Sequence, residues 1–439
     1  MWDTPQTKLI ALDTLRGLAA LSVFIYHFHS IFQDKVVLPT GLKLIGHAGH
    51  IGLDMFFVLS GFLIFRSLYL HGINKEYFIR RFLRIAPIYY FSLFCVLALV
   101  DHTYFTSLQG LWNILSHLLF LQSFSAGTYY GINPVLWSLS VELLFYLFLP
   151  IFFLVTKCKN SRIVIGSLLM IAISLLYRLE ITVFYDHWDA TKRIIYTENL
   201  LGRFDQFAFG ILASLITLKI EMAKITGKKI ANFIKTAGLM CIICGTGGVI
   251  LGMTVFEKYQ AGFRDILSLQ VFLHFFIGLS AALLIFGLGN SFSAISKIVG
   301  NRIFAFLGLI SYSFYIWHYL IIKAVLNLSQ KVDLFGFEFL IAFLTTLAFS
   351  SLTYYLIEKR FLAKKTYPLQ GLSSKKQLPH SQKTPSLFSN PKELLQRIIY
   401  FSPLLTSQKK SIGSQPAYSS LQLPSPILFR CISCQKTQP

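Results

Sequence analysis

Runs of about twenty apolar residues recur along roughly the first 360 positions of this chain, and that repetition leaves few folds open. A helix of such length crosses the ~30 Å hydrocarbon core of a bilayer and satisfies its own backbone where no water can. We read spans at about 11–32, 50–70, 86–101, 136–156, 162–180, 199–218, 236–254, 266–288, 303–325 and 338–358. The expected fold class is an all-α polytopic membrane protein with about ten transmembrane helices and a disordered C-terminal tail. Composition agrees: 54% of residues are hydrophobic and 13% charged, where soluble domains carry about 25% charged residues. A further apolar segment at 111–124 contains His117 and is too short to cross, so it reads as re-entrant or interfacial.

Loop charge supports this count. The loops at 75–84, 157–162, 219–235, 297–302 and 359–365 are basic. With ten spans, all of them fall on one side together with both termini, and the positive-inside rule makes that side cytoplasmic. The net charge of +21 then reflects topology and anionic lipid headgroups rather than nucleic acid. Asp13 and Arg16 open the first apolar run and no cleavage site follows, so an uncleaved anchor is expected there. The six cysteines form no disulfide framework, and Cys431-x-x-Cys434 lacks a second ligand pair, so no metal is expected. The membrane domain occupies 1–365. The tail, 366–439, is rich in Ser, Pro, Gln and Lys and cannot bury a core; only 394–405 has the pattern of a short surface helix.

Titratable residues inside the spans narrow the function. A charged group in hydrocarbon costs several kcal/mol, so each one requires a reason. Arg16 and His27 stand eleven positions apart in the first span, which returns to within about 20° of one helix face, about 16 Å along the axis. His50 and Asp54 share a face of the second span. Glu142 and Asp205 come early in their spans, and His318 comes late in its own. Rise arithmetic puts His27, His50, Asp54, Glu142, Asp205 and His318 within a band of about 10 Å in the outer half of the membrane. We infer one polar cavity there, with His27 and Glu142 as its acid/base members. Plainer readings stand beside this one. His50 and Asp54 are close to the interface and open to simple solvation, Asp205 has Arg203 as a near partner, and His318 sits among interfacial aromatic residues.

Arg16, Arg66, Arg80, Arg81 and Arg84 gather at the cytoplasmic ends of the first three spans, with Pro87 placed to open or kink the third. Charge alone reads as headgroup anchoring. A site for a phosphate-bearing ligand entering from the cytoplasm is the alternative, because guanidinium forks match phosphate oxygens.

Taken in order, these segments resemble the acyltransferase-3 family of integral membrane O-acyltransferases. The segments are Arg16-x10-His27, Phe56-Phe-Val-Leu-Ser-Gly-Phe-Leu-Ile64, Arg80-Arg-x-x-Arg84-Ile-x-Pro87, Trp137-Ser-Leu-Ser-Val-Glu142 and Ser311-Tyr-Ser-Phe-Tyr-Ile-Trp-His318. The likeness covers about 8–362. It implies catalytic roles for Arg16, His27 and Glu142, and an acyl-CoA donor, acetyl-CoA by expectation, held by Arg66, Arg80, Arg81 and Arg84. His50, Asp54, Asp205 and His318 are the expected substrate-binding residues. Asp205 departs from the Glu of many relatives. The resemblance further implies a bacterial inner membrane, a carbohydrate acceptor such as lipopolysaccharide O-antigen or exopolysaccharide, and a separate extracytoplasmic protein where relatives carry a fused domain. A transporter or exporter of an anionic or saccharide substrate is the rival class.

Overall fold

The first and ninth membrane spans run side by side in the same direction and make the most extensive helix–helix contact among the described residues. The structure, a computed structural model, describes residues 5–32, 39–185, 187–223, 227–258, 267–291, 295, 299, 300 and 302–363. The chain divides into two units, Met1–Leu369 and Gln370–Pro439. The second lies outside the described residues, and with it the expected tail disorder, the helix at 394–405 and the Cys431/Cys434 pair.

Ten helices among the described residues are long and apolar enough to cross a membrane. They are α1 (Pro5–Phe32), α3 (Gly52–His71), α4 (Lys75–Leu99), α7 (Trp137–Thr156), α8 (Asn160–Phe184), α10 (Phe204–Met222), α11 (Lys228–Lys258), α12 (Leu267–Asn290), α13 (Arg302–Ser329) and α14 (Glu338–Thr353). The last continues through a π-helical turn, Tyr354–Glu358, into α15 (Lys359–Ala363). Short helices α2 (Thr40–Ala48), α5 (Leu108–Leu118), α6 (Ala126–Tyr129) and α9 (Ala190–Thr197) lie between spans. The 111–124 segment thus forms an eleven-residue helix followed by a 3-10 turn, not a crossing.

The largest boundary difference from the sequence reading is in the third span; the first and seventh also begin earlier, at Pro5 and Lys228. The third span begins at Lys75 rather than near 86, so Arg80, Arg81 and Arg84 belong to it and Pro87 lies inside it. Proline is tolerated within membrane helices where neighbours take up nearby backbone groups. Here the Tyr312 hydroxyl donates to the Ile85 carbonyl at 2.7 Å.

Contacts fix the relative directions. Gly17 meets Phe304 and Gly308, Phe24 meets Phe314 at 5.6 Å and His27 meets His318 at 5.2 Å, so α1 and α13 run parallel. Ala19 and Ser22 meet Gly52 and Gly49, so α3 runs against α1. First and ninth spans parallel, with the second reversed, is what alternating crossings require. α3 and α10 cross at Gly61 and Gly210: a methyl added at Gly61 would lie 2.3 Å from the Phe207 carbonyl oxygen, and one at Gly210 would lie 2.2 Å from that of Val58. Small residues let these backbones touch.

Candidate functional site

Helical periodicity assembles the site. Ser138, Glu142 and Tyr146 repeat every fourth residue on α7, Arg81 and Arg84 share a face of α4, and Ser311, Tyr315 and His318 share a face of α13. With α1 and α3 they enclose a cavity of about 200 Å³. Arg16, Arg81, Arg84, Ser60, Glu142 and Tyr146 all line it, as do Leu53, Phe56, Ser138 and Tyr315. Ser60 donates to the Glu142 carboxylate at 2.7 Å, and the Tyr146 hydroxyl donates to the same oxygen. Arg16 pairs with Asp13 at 3.3 Å. Arg81 stands over the rings of Tyr77 and Tyr146, 5.8 and 5.9 Å from their centroids, and its buried Nε has no hydrogen-bond partner. Arg84 makes no hydrogen bond to another described residue; its countercharges are the carboxylates of Glu358 and Glu142. This end of the cavity therefore holds three guanidiniums with donor capacity left over.

Two imidazoles lie behind the Tyr315 wall of the cavity. Tyr315 shares a hydrogen bond with Ser138 at 2.8 Å, and its ring lies 5.4 Å from that of His318. His318 is 1% exposed. Its Nδ1 lies 2.6 Å from the Tyr315 carbonyl; a carbonyl only accepts, so Nδ1 carries the proton and Nε2 the lone pair. That Nε2 is buried without a partner. The His27 ring lies 5.2 Å from the His318 ring and 5.4 Å from Tyr319. Glu142 was the expected companion of His27, but its hydrogen bonds go to Ser60 and Tyr146. The group beside His27 is His318.

The remaining polar residues do not join this cavity. His50 lies between the rings of Tyr26, at 4.9 Å, and Phe256, at 4.4 Å. Asp54 is buried, accepting from Arg203 at 2.6 Å and Gln206 at 2.5 Å, with His274 at 3.4 Å. Arg203 also donates to Glu198. Asp205 pairs not with Arg203 but with Arg178, at 2.5 Å, and accepts from Ser174 at 3.1 Å. These two networks tie α3, α8, α10 and α12 together. Arg66 forms an ion pair with Glu221 at 2.7 Å between α3 and α10, and Arg80 is exposed; neither lines the cavity. The one common cavity inferred from depth arithmetic is thus three separate groupings, because equal depth on a helix does not mean the same facing.

Four residues escaped the sequence reading. Arg178 is the plainest: a charge inside an apolar span satisfies the same criterion that flags Arg16. Glu198, His274 and Glu358 sit near span ends, where charge is ordinary, and only their burial marks them.

Comparison with known proteins agrees with the geometry. The family model described as an acyltransferase domain, Acyl_transf_3, matches residues 9–355. The peptidoglycan O-acetyltransferase OatA of Listeria monocytogenes is 26% identical over 349 residues, 73% of this chain and 51% of that protein. YrhL of Bacillus subtilis, named as a candidate peptidoglycan O-acetyltransferase, is 25% identical over 382 residues, 79% of this chain and 54% of the relative. ORF330 of Acidianus two-tailed virus, named as a candidate acetyltransferase, is 32% identical over 155 residues, 35% of this chain and 44% of that protein. The chain spans about half the length of the curated relatives it matches. No solved structure matches. With a family model running across nine of ten spans and into the last, and with the motif residues of α1, α4, α7 and α13 gathered around one cavity, the chain belongs to the acyltransferase-3 family of membrane acyltransferases.

Proposed function

We propose that this protein is a membrane O-acetyltransferase that moves an acetyl group from cytoplasmic acetyl-CoA to a hydroxyl of a cell-envelope glycan. One observation carries the reading: the cavity lined by Arg16, Arg81 and Arg84 has Tyr315 in its wall, and behind Tyr315 the ring of His318 lies 5.4 Å away and that of His27 a further 5.2 Å from His318. Arg16, Arg81 and Arg84 suit the phosphates of the donor. In this reading the nucleotide stays at the arginines and the acylated arm reaches inward. The protein sits in a bacterial inner membrane with both termini cytoplasmic, which turns the arginine end toward the cytosol and the histidine end toward the acceptor.

The chemistry follows from the imidazoles. His27 takes the proton of the acceptor hydroxyl as its oxygen attacks the thioester carbonyl. The carbon–sulfur bond breaks, and the departing thiolate receives that proton. In this mechanism the partnerless Nε2 of His318 accepts an N–H of His27 as the two rings close up and fixes its tautomer, the orienting role of a third group in a triad. An acyl-imidazole on His27 is the two-step version. Two relatives named for peptidoglycan make a peptidoglycan hydroxyl the first acceptor to test, with lipopolysaccharide and exopolysaccharide next. A separate extracytoplasmic protein that receives or completes the transfer is part of this proposal.

Purified protein in vesicles, given radiolabelled acetyl-CoA and each glycan in turn, tests this directly. Ester-linked label on one glycan, lost in His27→Ala at equal expression, is the expected result. Full activity in His27→Ala would refute the mechanism, and glycan movement across the membrane without ester formation would establish a transporter instead.

A further inference from the structure

Behind the cavity wall, the last span departs from α-helical geometry. It is regular to Thr353 and then forms the π-helical turn Tyr354–Glu358, which packs on α4 and α13. Such turns are rare and recur at functional sites. This one carries Glu358, which is 0% exposed. Its Oε2 accepts from the Ser313 hydroxyl at 2.9 Å. Its Oε1 is buried with no hydrogen bond. A buried carboxylate with an empty oxygen is costly unless a cation offsets it; the turn packs on α4, which carries Arg84, and the charges felt at this carboxylate are those of Arg84 and Arg16, beyond direct ion-pair distance. Glu358 is not itself a lining residue, while Tyr312, next to its partner Ser313, and Arg84 are.

We propose that Glu358 is a positioning residue: from behind the wall it holds the Arg84 guanidinium toward the cavity, ready for the phosphates of an anionic donor. The inference rests on the donor site proposed above. A countercharge outside the cavity offsets the guanidinium of Arg84, which makes no hydrogen bond to another described residue, without competing for its donors. Glu142 does not fill this role, because its carboxylate is already engaged by Ser60 and Tyr146.

The test compares two acetyl donors with the full chain in vesicles: acetyl-CoA, and the acetyl thioester of N-acetylcysteamine, which has no phosphate. Glu358→Gln keeps the shape and removes the charge. It should raise KM for acetyl-CoA about tenfold, with kcat within about twofold, and leave KM for the phosphate-free thioester unchanged. In an Arg84→Ala background it should add nothing. A normal KM for acetyl-CoA in Glu358→Gln, while Arg84→Ala raises it, overturns the positioning role alone. A normal KM in both variants overturns the donor site itself. Should Glu358→Gln fail to accumulate, Ser313→Ala decides: it frees the carboxylate but keeps its charge, so a KM increase confined to acetyl-CoA supports the role and no change refutes it.

Discussion

Asp205→Asn should weaken the bundle rather than acceptor binding. The Asp205 carboxylate is 0% exposed and its partner Arg178 is 1% exposed. Arg178 donates to it through two nitrogens, at 2.5 and 3.3 Å, Ser174 donates at 3.1 Å and the Gln206 N–H at 3.0 Å. An amide keeps one accepting oxygen but turns N–H groups toward the guanidinium, which loses its countercharge. Breaking one partner of a buried ion pair costs about 3–5 kcal/mol. The retained acceptor and the Gly202 carbonyl, 2.9 Å from the same guanidinium, put this case near the lower limit, about 3 kcal/mol. Arg178→Met with Asp205→Ala removes both charges and should recover most of that loss, since an apolar replacement leaves nothing unpaired. Chemical unfolding in mixed micelles measures both, and transfer activity per folded protein should be close to wild type in the double variant. An Asp205→Asn protein as stable as wild type, with a raised acceptor KM, would refute the structural assignment and return Asp205 to the substrate site.

Arg84→Ala should raise the acetyl-CoA concentration needed for half-maximal transfer with little loss of the maximal rate; an unchanged requirement would leave this arginine a topological anchor. Gly210→Ala drives a methyl to 2.2 Å from the Val58 carbonyl oxygen, an overpacking cost of about 1–3 kcal/mol visible as a lower denaturation midpoint; an unshifted midpoint would show that α3 and α10 are free to separate. His117 in α5 is 0% exposed, and burial pushes its imidazole down to about 4, partly opposed by its bond to the Asn113 carbonyl. A histidine kept neutral in the fold contributes stability above its unfolded value near 6.5 and loses it as pH falls toward about 4, up to roughly 3 kcal/mol in all. Hydrogen-exchange protection across 108–118, taken relative to the intrinsic rate at each pH, should therefore fall between pH 6.5 and 4 in wild type and stay level in His117→Gln.

Much of the site was legible because helix periodicity is a one-dimensional code. Arg16, Arg81, Arg84 and Glu142 were found by type and spacing, and they line one cavity. The errors came where depth stood in for direction. Asp54 and Asp205 lie at plausible levels in the membrane, yet their side chains face α8, α10 and α12, and their partners Arg203 and Arg178 arrive from segments far along the chain. Arg66 groups with the other span-end arginines by position and with Glu221 by contact.

The sequence by itself determined the class of fold, the number of spans and the residue types that carry the chemistry, because hydrocarbon admits only helices of a set length and makes every charge within them conspicuous. Tertiary structure alone decided which charges meet. Helix rotation and tilt are set by close contacts such as Gly17 on Gly308 and Gly61 on Phe207, and those rotations pair Arg178 with Asp205, join His27 to His318 rather than to Glu142, and bring Glu358 up behind Arg84.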